Sequence, residues 1–333
     1  MKPPNLNNYV HAQDVLGFII DCEQQKIAVA LIVVTHIQGG AVRAPGALLA
    51  VREDGEMAGY ISNGCVDADL IAQSIDAVSV GAPRRISYGA GSDYKDILLP
   101  CGGRIELLIV PRPDMGVIDR AYTYLMDRQV ISLTLSAAGT LSTARVLPAA
   151  GEEACYKPDH KTDLNHVLYS FTYRPKLRLR IAGRGAEVLA LMRAAHALDY
   201  DMIIQSPDQR IGAGGEHAEA FGAQFQHLKS VNDPPMTHDD PDTAFILLFH
   251  DHDWESALLR QALSGPAFYI GAMGGRETRR QRIEVLTSEN VDARDIERIC
   301  SPIGLVPSAR NSSHMAISIL AEIINIYKQV YNI

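Results

Sequence analysis

Near the middle of this sequence, a predicted strand runs straight into a glycine turn and then a helix. Leu177–Ile181 alternates apolar and basic residues, Gly183-Arg184-Gly185 follows, and helical spacing then continues to about Leu198. This order is typical of the first strand, turn and helix of a nucleotide-binding α/β domain. Apolar strands alternate with helical segments from there on, so a mainly parallel sheet is predicted.

The first half of the chain is less regular, but its pattern also indicates a mixture of helices and strands. A helix is predicted over Ala12–Cys22 and a buried strand over Ile27–Val34, and Glu53-Asp54-Gly55 has the composition of a hairpin turn. The polar stretch Pro148–His166 is loop-like, and Pro175 ends the last strand before the glycine unit. The sequence therefore predicts two α/β domains, 1–175 and 176–333.

Composition excludes several classes of protein. The chain has 31 basic and 39 acidic residues, a net charge of −8, and no basic run, so no nucleic-acid partner is expected. Its longest apolar runs are far shorter than the roughly 18 residues that cross a membrane, and the N-terminus has no apolar signal core. We therefore expect a cytoplasmic protein with no membrane contact. Five cysteines without a Cys-x-x-Cys pair indicate reduced thiols rather than disulfides or a structural zinc site.

Two of the cysteines lie in glycine-rich turns. Cys65 follows Gly64 at the predicted start of a helix, where free N–H groups and the helix dipole stabilise a thiolate. Cys101 is followed by Gly102 and Gly103, which allow a ligand to approach the backbone closely. The alternatives are that Cys65 is a small buried apolar residue and that Gly102 and Gly103 serve only a tight turn.

The strand, glycine turn and helix around Gly183-Arg184-Gly185 depart from the dinucleotide-binding pattern at two positions. Gly183 and Gly185 match its first two glycines, but Val188 stands where the third is expected. An acidic residue should end the second strand and bind the ribose, yet Gln205 is found there. Ordinary NAD binding is therefore disfavoured even though the fold is retained.

A second glycine turn predicts an anion site. Gly271 and Gly274 end a strand, and Arg276 opens the helix that follows, so backbone amides and a guanidinium meet at a helix start. Arg280 and Arg282 farther along that helix are expected on a solvated face. The run from His250 to Asp253 consists of residue types that bind metal ions. Adjacent side chains point in different directions and cannot share one ion, so no metal site is predicted.

Taken in order, these segments resemble the XdhC/CoxI family over nearly the whole chain. The resemblance implies an N-terminal domain of that family followed by a C-terminal Rossmann-like domain. It also implies a protein that binds the molybdenum cofactor, supports its sulfuration with a cysteine desulfurase, and delivers it to a xanthine dehydrogenase-type molybdenum hydroxylase apoenzyme. The motifs that carry the resemblance are Gly39–Ala47, Asp54-Gly55, Gly59–Asp67, Leu99–Gly103, Tyr269–Arg276 and Ser301–Leu305.

The resemblance assigns expected roles to the same residues. Arg276 and its glycine turn suit the phosphate oxygens of molybdopterin or of its cytosine dinucleotide form, and Arg43 adds a second guanidinium. Cys65 or Cys101 is expected to face the molybdenum. A chaperone of this kind needs no catalytic residues. The alternatives are an NAD(P)-dependent oxidoreductase and a pure interaction scaffold.

The last helix leaves the state of assembly open. Apolar residues recur at helical spacing from Met315 to Tyr327, and Ser312 or Ser313 is expected to cap the helix. Such a stripe packs either on the sheet or on a second subunit, and packing on the sheet is expected here. The long helix and the apolar surface of two moderately sized domains nevertheless suggest a homodimer.

Overall fold

The chain divides into two compact units, Met1–Pro175 and Lys176–Ile333. The computed structural model describes residues 11–40, 43–62, 64, 66–92, 102–146, 168–212, 218–249, 252–307 and 310–332. Within this described part, no helix has a stretch that is both long and apolar enough to cross a membrane.

Helices and antiparallel strands make up the described part of the first unit. Its described elements are α1 (Ala12–Gln24), β1 (Val29–Gln38), β2 (Leu48–Arg52), β3 (Met57–Gly59), α2 (Asp67–Val80), β4 (Arg84–Gly89), β5 (Arg104–Pro111), α3 (Met115–Met126), β6 (Ile131–Ser136), β7 (Leu141–Arg145) and β8 (Leu168–Tyr173).

Two antiparallel sheets form from the described strands of this unit. The larger has the order β3-β2-β1-β5-β4, and the smaller has the order β7-β6-β8. Alternate residues of β1 point to opposite faces: Leu31 packs in the core with α1, α3 and the smaller sheet, whereas Ile32 packs in the core with α2. Both faces of the larger sheet are therefore covered, which explains the continuous apolar run at β1.

Antiparallel pairing brings several loops to one end of the larger sheet. β1 ends at Gln38, which lies opposite Arg104 at the start of β5, and Arg104 lies opposite Gly89 at the end of β4. β3 runs in the same direction as β1 and leads through Tyr60 towards α2. The loops that carry the predicted glycine and cysteine motifs of the first unit thus start or finish at this end.

The second unit alternates strands and helices. Its described elements are β9 (Arg178–Gly183), α4 (Ala186–Ala197), β10 (Asp201–Ser206), β11 (Gln224–His227), β12 (Thr243–Leu248), α5 (Glu255–Leu263), β13 (Tyr269–Ala272), α6 (Arg276–Ser288), α7 (Ala293–Glu297), β14 (Ile299–Cys300) and α8 (Ser312–Tyr331).

The described strands of the second unit form a single parallel sheet in the order β11-β10-β9-β12-β13-β14. This is the order of doubly wound nucleotide-binding domains, in which the chain changes direction beside its first strand. α4 and α8 cover one face and α5 covers the other. The predicted α/β fold with a mainly parallel C-terminal sheet is confirmed.

Helix α8 packs on its own unit through the predicted stripe. Ile319, Leu320 and Ile323 are buried in the core that they share with α4. The predicted serine cap is wrong: Asn311 is the N-cap, and its Oδ1 accepts hydrogen bonds from the backbone N–H groups of Ser313 at 2.9 Å and His314 at 3.2 Å. Like a serine cap, the asparagine side chain accepts hydrogen bonds from the free N–H groups of the first turn, and it does so from the residue before Ser312.

Candidate functional site

The candidate site of the second unit lies at the carboxyl ends of its parallel strands. β9 ends at Gly183, and its neighbour β12 ends at Leu248, which pairs with Gly183. β13 and β14 end on the same side because all these strands run in parallel. Between β9 and β12 the helical connections switch direction, and ligands of open α/β sheets bind in the crevice that this leaves.

Close packing explains the first glycine of the β9–α4 turn. A Cβ atom at Gly183 would lie 2.7 Å from the Leu248 carbonyl oxygen and 2.9 Å from Cγ2 of Val188. Val188 is fully buried, so the position expected for a third glycine is filled by core packing. Gly185 has φ +87° and is the N-cap of α4, a conformation that favours glycine. The turn keeps the backbone shape of the dinucleotide-binding pattern, but Val188 leaves less space beside it than a third glycine would.

Gln205 does not face the crevice. Its side chain is fully buried, Oε1 accepts a hydrogen bond from Arg180 Nη1 at 3.1 Å, and Nε2 donates to Gln226 Oε1 at 2.9 Å. The next carboxylate along the chain, Asp208, is engaged by Arg210, whose guanidinium holds the pKa of Asp208 below its usual value. Neither side chain is placed as a free acceptor for a ribose.

The β13–α6 turn has the geometry of an anion site. Gly274 has φ +135°, and a Cβ atom there would collide with Thr278, so only glycine fits. Gly275 is the N-cap and has no side chain to cap the first N–H groups of α6, and no described residue beyond its chain neighbours would lie within 4 Å of a Cβ atom there. Arg276 is exposed, and no described residue forms a hydrogen bond or ion pair with its guanidinium. A helix start with these free donors suits phosphate oxygens.

Gly271 supports this turn from within β13. A Cβ atom there would lie 2.5 Å from the hydroxyl oxygen of Tyr269 and 2.6 Å from Cδ1 of Ile303. Its role is therefore close packing rather than contact with a ligand.

The prediction of a solvated face is correct for Arg280 and wrong for Arg282. Arg280 is 62% exposed in its side chain and pairs with Glu277 at 2.6 Å and Glu284 at 3.0 Å. Arg282 is only 4% exposed and forms a two-point ion pair with Glu255. Arg282 and Leu286 are the buried residues of α6, and their i, i+4 spacing is the sequence signal that the prediction of a solvated face missed.

In the first unit, the described site residues gather at the end of the sheet where its loops meet. The guanidinium of Arg43 lies over the ring of Tyr60, 4.5 Å from its centroid. A Cβ atom at Gly39 would lie 3.2 Å from Cα of Gly103, so the two loops approach closely through their glycines. Arg104 donates to the carbonyl oxygen of Gly91 at 3.0 Å. These contacts bring the base of the loop that contains Cys101 beside the loop that contains Arg43.

Gly64 and Gly102 adopt the left-handed conformation, with φ of +96° and +66°. Among the described residues, none other than a chain neighbour would lie within 4 Å of a Cβ atom at either position. Backbone conformation, rather than crowding by the described residues, therefore calls for glycine at both sites.

Cys65 and Cys101 themselves lie outside the described residues. Cys65 immediately precedes Val66, the N-cap of α2, so the prediction that it adjoins a helix start is confirmed. Two carboxylates in the first turn of α2 already have partners: Asp67 accepts from Ser62 Oγ at 2.6 Å, and Asp69 accepts from Tyr88 Oη at 2.7 Å.

The described thiols have the properties of packed residues. Cys22 is buried, and burial raises the pKa of its thiol to about 11. The pKa of Cys300 is also raised, by burial and by the nearby charge of Glu322. Neither thiol is ionised near neutral pH, so neither is poised as a nucleophile or a soft metal ligand.

Within the described ranges, no group of three or more His, Cys, Asp or Glu side chains is arranged to hold a metal ion. His250 and Asp251 of the sequence run considered above lie outside those ranges.

Comparison with known proteins agrees with this architecture in both units. A model of the XdhC and CoxI family matches residues 22–89, and a model of the XdhC Rossmann domain matches residues 179–323. The molybdenum cofactor insertion chaperone PaoD of Escherichia coli (strain K12) is 30% identical over 316 residues, which cover 94% of this chain and 87% of PaoD.

A solved structure has the same fold over almost the full length. It is a crystal structure described as a xanthine dehydrogenase from Bacillus halodurans, with a TM-score of 0.73 and 21% identity over 95% of this chain and 96% of that one. This likeness bears on the fold alone. The family models and the similarity to PaoD together show that this chain belongs to the XdhC and CoxI family.

Proposed function

We propose that this protein binds the molybdenum cofactor and supports its insertion into a molybdoenzyme, the role that the name of PaoD gives to that relative. The observation that carries the proposal is the start of α6, where Gly274, Gly275 and Arg276 present free donors at the edge of a parallel sheet. Phosphate or pyrophosphate oxygens of the cofactor would be bound there.

The residues present fit the chemistry of such a cargo. Its oxyanions need amide and guanidinium donors, which the second unit supplies through Arg276 and the first through Arg43. Its molybdenum and labile sulfur favour soft ligands, and Cys65 and Cys101 are the thiols that adjoin Gly64 and Gly102, two glycines that the described residues do not crowd. The cargo carries the reactive metal and sulfur, so the protein has to bind and shield it rather than turn over a substrate.

The protein is also expected to act with partners and to form an assembly. We propose that the protein assists sulfuration of the cofactor together with a cysteine desulfurase, and that its target is a xanthine dehydrogenase-like hydroxylase apoenzyme in the cytoplasm. Both molybdopterin and its cytosine dinucleotide form suit an anion site of this kind. We also propose a homodimer, in which the exposed apolar residues Ile317 and Ile324 of α8 contribute to the contact.

An NAD(P)-dependent oxidoreductase is the alternative, favoured by the strand order of the second unit. Against it, Gln205 is committed to a buried network and Val188 fills the position of the third glycine. A dinucleotide would find neither a free ribose acceptor nor the usual space beside the first turn.

Protein purified without oxygen from cells that make molybdenum cofactor is expected to carry molybdenum and pterin at about one per chain, because one anion site is proposed per chain. Metal analysis and pterin fluorescence after oxidation would measure this. The same preparation should not oxidise NAD(P)H in the steady state with common carbonyl substrates. Purification without cofactor, combined with robust NAD(P)H oxidation, would favour the oxidoreductase instead.

Cys65→Ala is expected to lower activation of the target enzyme by about tenfold, the lower end of what is lost when groups around a metal are altered. Cofactor affinity should stay near that of the parent, because the thiol is proposed to face the metal and sulfur rather than the phosphates. Activation of apoenzyme by loaded protein would be measured, with Cys22→Ala as a thiol control. Normal activation by Cys65→Ala would leave Cys101 as the remaining candidate thiol.

A further inference from the structure

A buried ion pair joins three loops at the carboxyl edge of the parallel sheet. Arg282 Nε donates to Glu255 at 2.9 Å and Nη2 donates to the other carboxylate oxygen at 3.0 Å. The same guanidinium donates to the carbonyl oxygen of Met273 at 2.7 Å and to Oγ of Ser301 at 3.0 Å. The side chains of Arg282 and Glu255 are 2% and 5% exposed.

The partners of Arg282 identify what it holds in place. Met273 directly precedes Gly274, Gly275 and Arg276, the turn at which the anion site is proposed. Glu255 is the first residue of α5, at the end of the connection that leaves β12, and Ser301 follows β14. A single side chain of α6 thus ties together the turns that follow three parallel strands.

We propose that the pair formed by Arg282 and Glu255 is a positioning device for the anion site at the start of α6. It fixes the β13–α6 turn against the β12–α5 and β14–α8 connections, so that the amides and Arg276 are oriented before the ligand arrives. The identity of the ligand rests on the proposed function, but how rigidly the turns are held can be measured without any ligand.

Stability alone does not explain why a charged pair occupies this position. Burying two charges costs several kcal/mol per ion, and well-packed apolar residues often replace such a pair without loss. Apolar side chains cannot donate hydrogen bonds to a carbonyl, a carboxylate and a hydroxyl on three different segments. The planar fork of arginine can, and lysine cannot reproduce its geometry.

A second buried pair in the same unit offers a matched control. Arg180 and Asp239 form an equally buried two-point ion pair, with side chains 0% and 4% exposed. Arg180 lies within β9 opposite Phe245, and Asp239 precedes β12 at the amino end of that strand. This pair has the same chemistry as the first but contacts none of the turns at the carboxyl edge.

The test compares full-length Glu255→Gln, Arg282→Met and Asp239→Asn with the parent by amide hydrogen exchange. We expect exchange at Met273–Arg276 and Ser301–Gly304 to rise about tenfold beyond any global change in the two variants at the carboxyl edge, because local opening costs less without the pair. Asp239→Asn should leave exchange in these turns at the level set by its global stability. Unchanged turns in Glu255→Gln and Arg282→Met, or an equal rise in Asp239→Asn, would overturn the proposal.

Pyrophosphate binding measured by calorimetry separates this proposal from the proposed function. We expect weaker binding in Glu255→Gln and Arg282→Met and parent-like binding in Asp239→Asn. If Arg276→Ala binds pyrophosphate as well as the parent does, or the parent does not bind it, the anion site is misplaced while the exchange data still decide the positioning role. If Arg276→Ala weakens binding and the Glu255 and Arg282 variants do not, the positioning role is wrong and the anion site stands.

Discussion

Replacing Asp239 with alanine is expected to lower the free energy of unfolding of the second unit by about 3–5 kcal/mol, because removal of one partner leaves a buried charge uncompensated. Arg180, the partner, is fully buried in a central strand and donates to both oxygens of Asp239, at 2.8 and 2.5 Å. Burial already lowers the pKa of Arg180, and the contact with Asp239 opposes that effect.

The rest of the Arg180 environment cannot replace the carboxylate. Gln205 and Gln261 accept hydrogen bonds from Nη1 at 3.1 and 3.0 Å, and the ring of Phe245 lies 4.1 Å from the guanidinium. These are neutral groups, so they satisfy donors without neutralising the charge. Asp239 also anchors the connection between β11 and β12 to the middle of the sheet, and that anchor is lost with it.

Denaturant unfolding followed by tryptophan fluorescence would measure this loss, because Trp254 is the single tryptophan of the chain and lies in the second unit. Glu277→Ala removes a partner from an exposed ion pair and should leave the unfolding transition nearly unchanged. The double variant Arg180→Met with Asp239→Leu should recover much of the stability, since no unpaired charge remains. A loss near that of the Glu277 control would show that water reaches Arg180.

The role of Arg180 could not be predicted from the sequence. The alternation of Leu177–Ile181 is typical of a strand with one solvated face. In a parallel sheet covered by helices on both sides, that face is buried, and Arg180 has to find a partner. The partner is 59 residues farther along the chain, a separation at which no local pattern carries information.

Features that depend on neighbouring residues, in contrast, could be predicted from the sequence. The glycine turns after β9 and β13 were predictable because each requires a backbone conformation or a close approach that only glycine allows. The parallel order of the strands then brings the two turns to one edge. What Arg282 does at that edge was not predictable, because its contacts come from residues on three separate segments that only the fold assembles.

Arg276→Ala is expected to weaken cofactor binding by about 1.5–3 kcal/mol, which is the value of a hydrogen bond to a charged group. The exposed guanidinium lies at the first residue of α6, beside backbone amides that the N-cap Gly275 does not cap, so a bound phosphate would interact with both. Removing the side chain leaves the amides and the helix dipole in place, and binding should therefore weaken without being abolished.

Equilibrium binding of the purified cofactor to the parent, Arg276→Ala and Arg280→Ala would measure the effect. Arg280 lies one turn farther along the same helix and is already paired with Glu277 and Glu284, so its variant controls for the loss of one positive charge from α6. Salt separates the two contributions further: a direct contact at Arg276 loses less affinity on screening than a long-range attraction does. Equal affinities for Arg276→Ala and the parent would place the phosphate elsewhere and leave Arg43 of the first unit as the remaining guanidinium candidate.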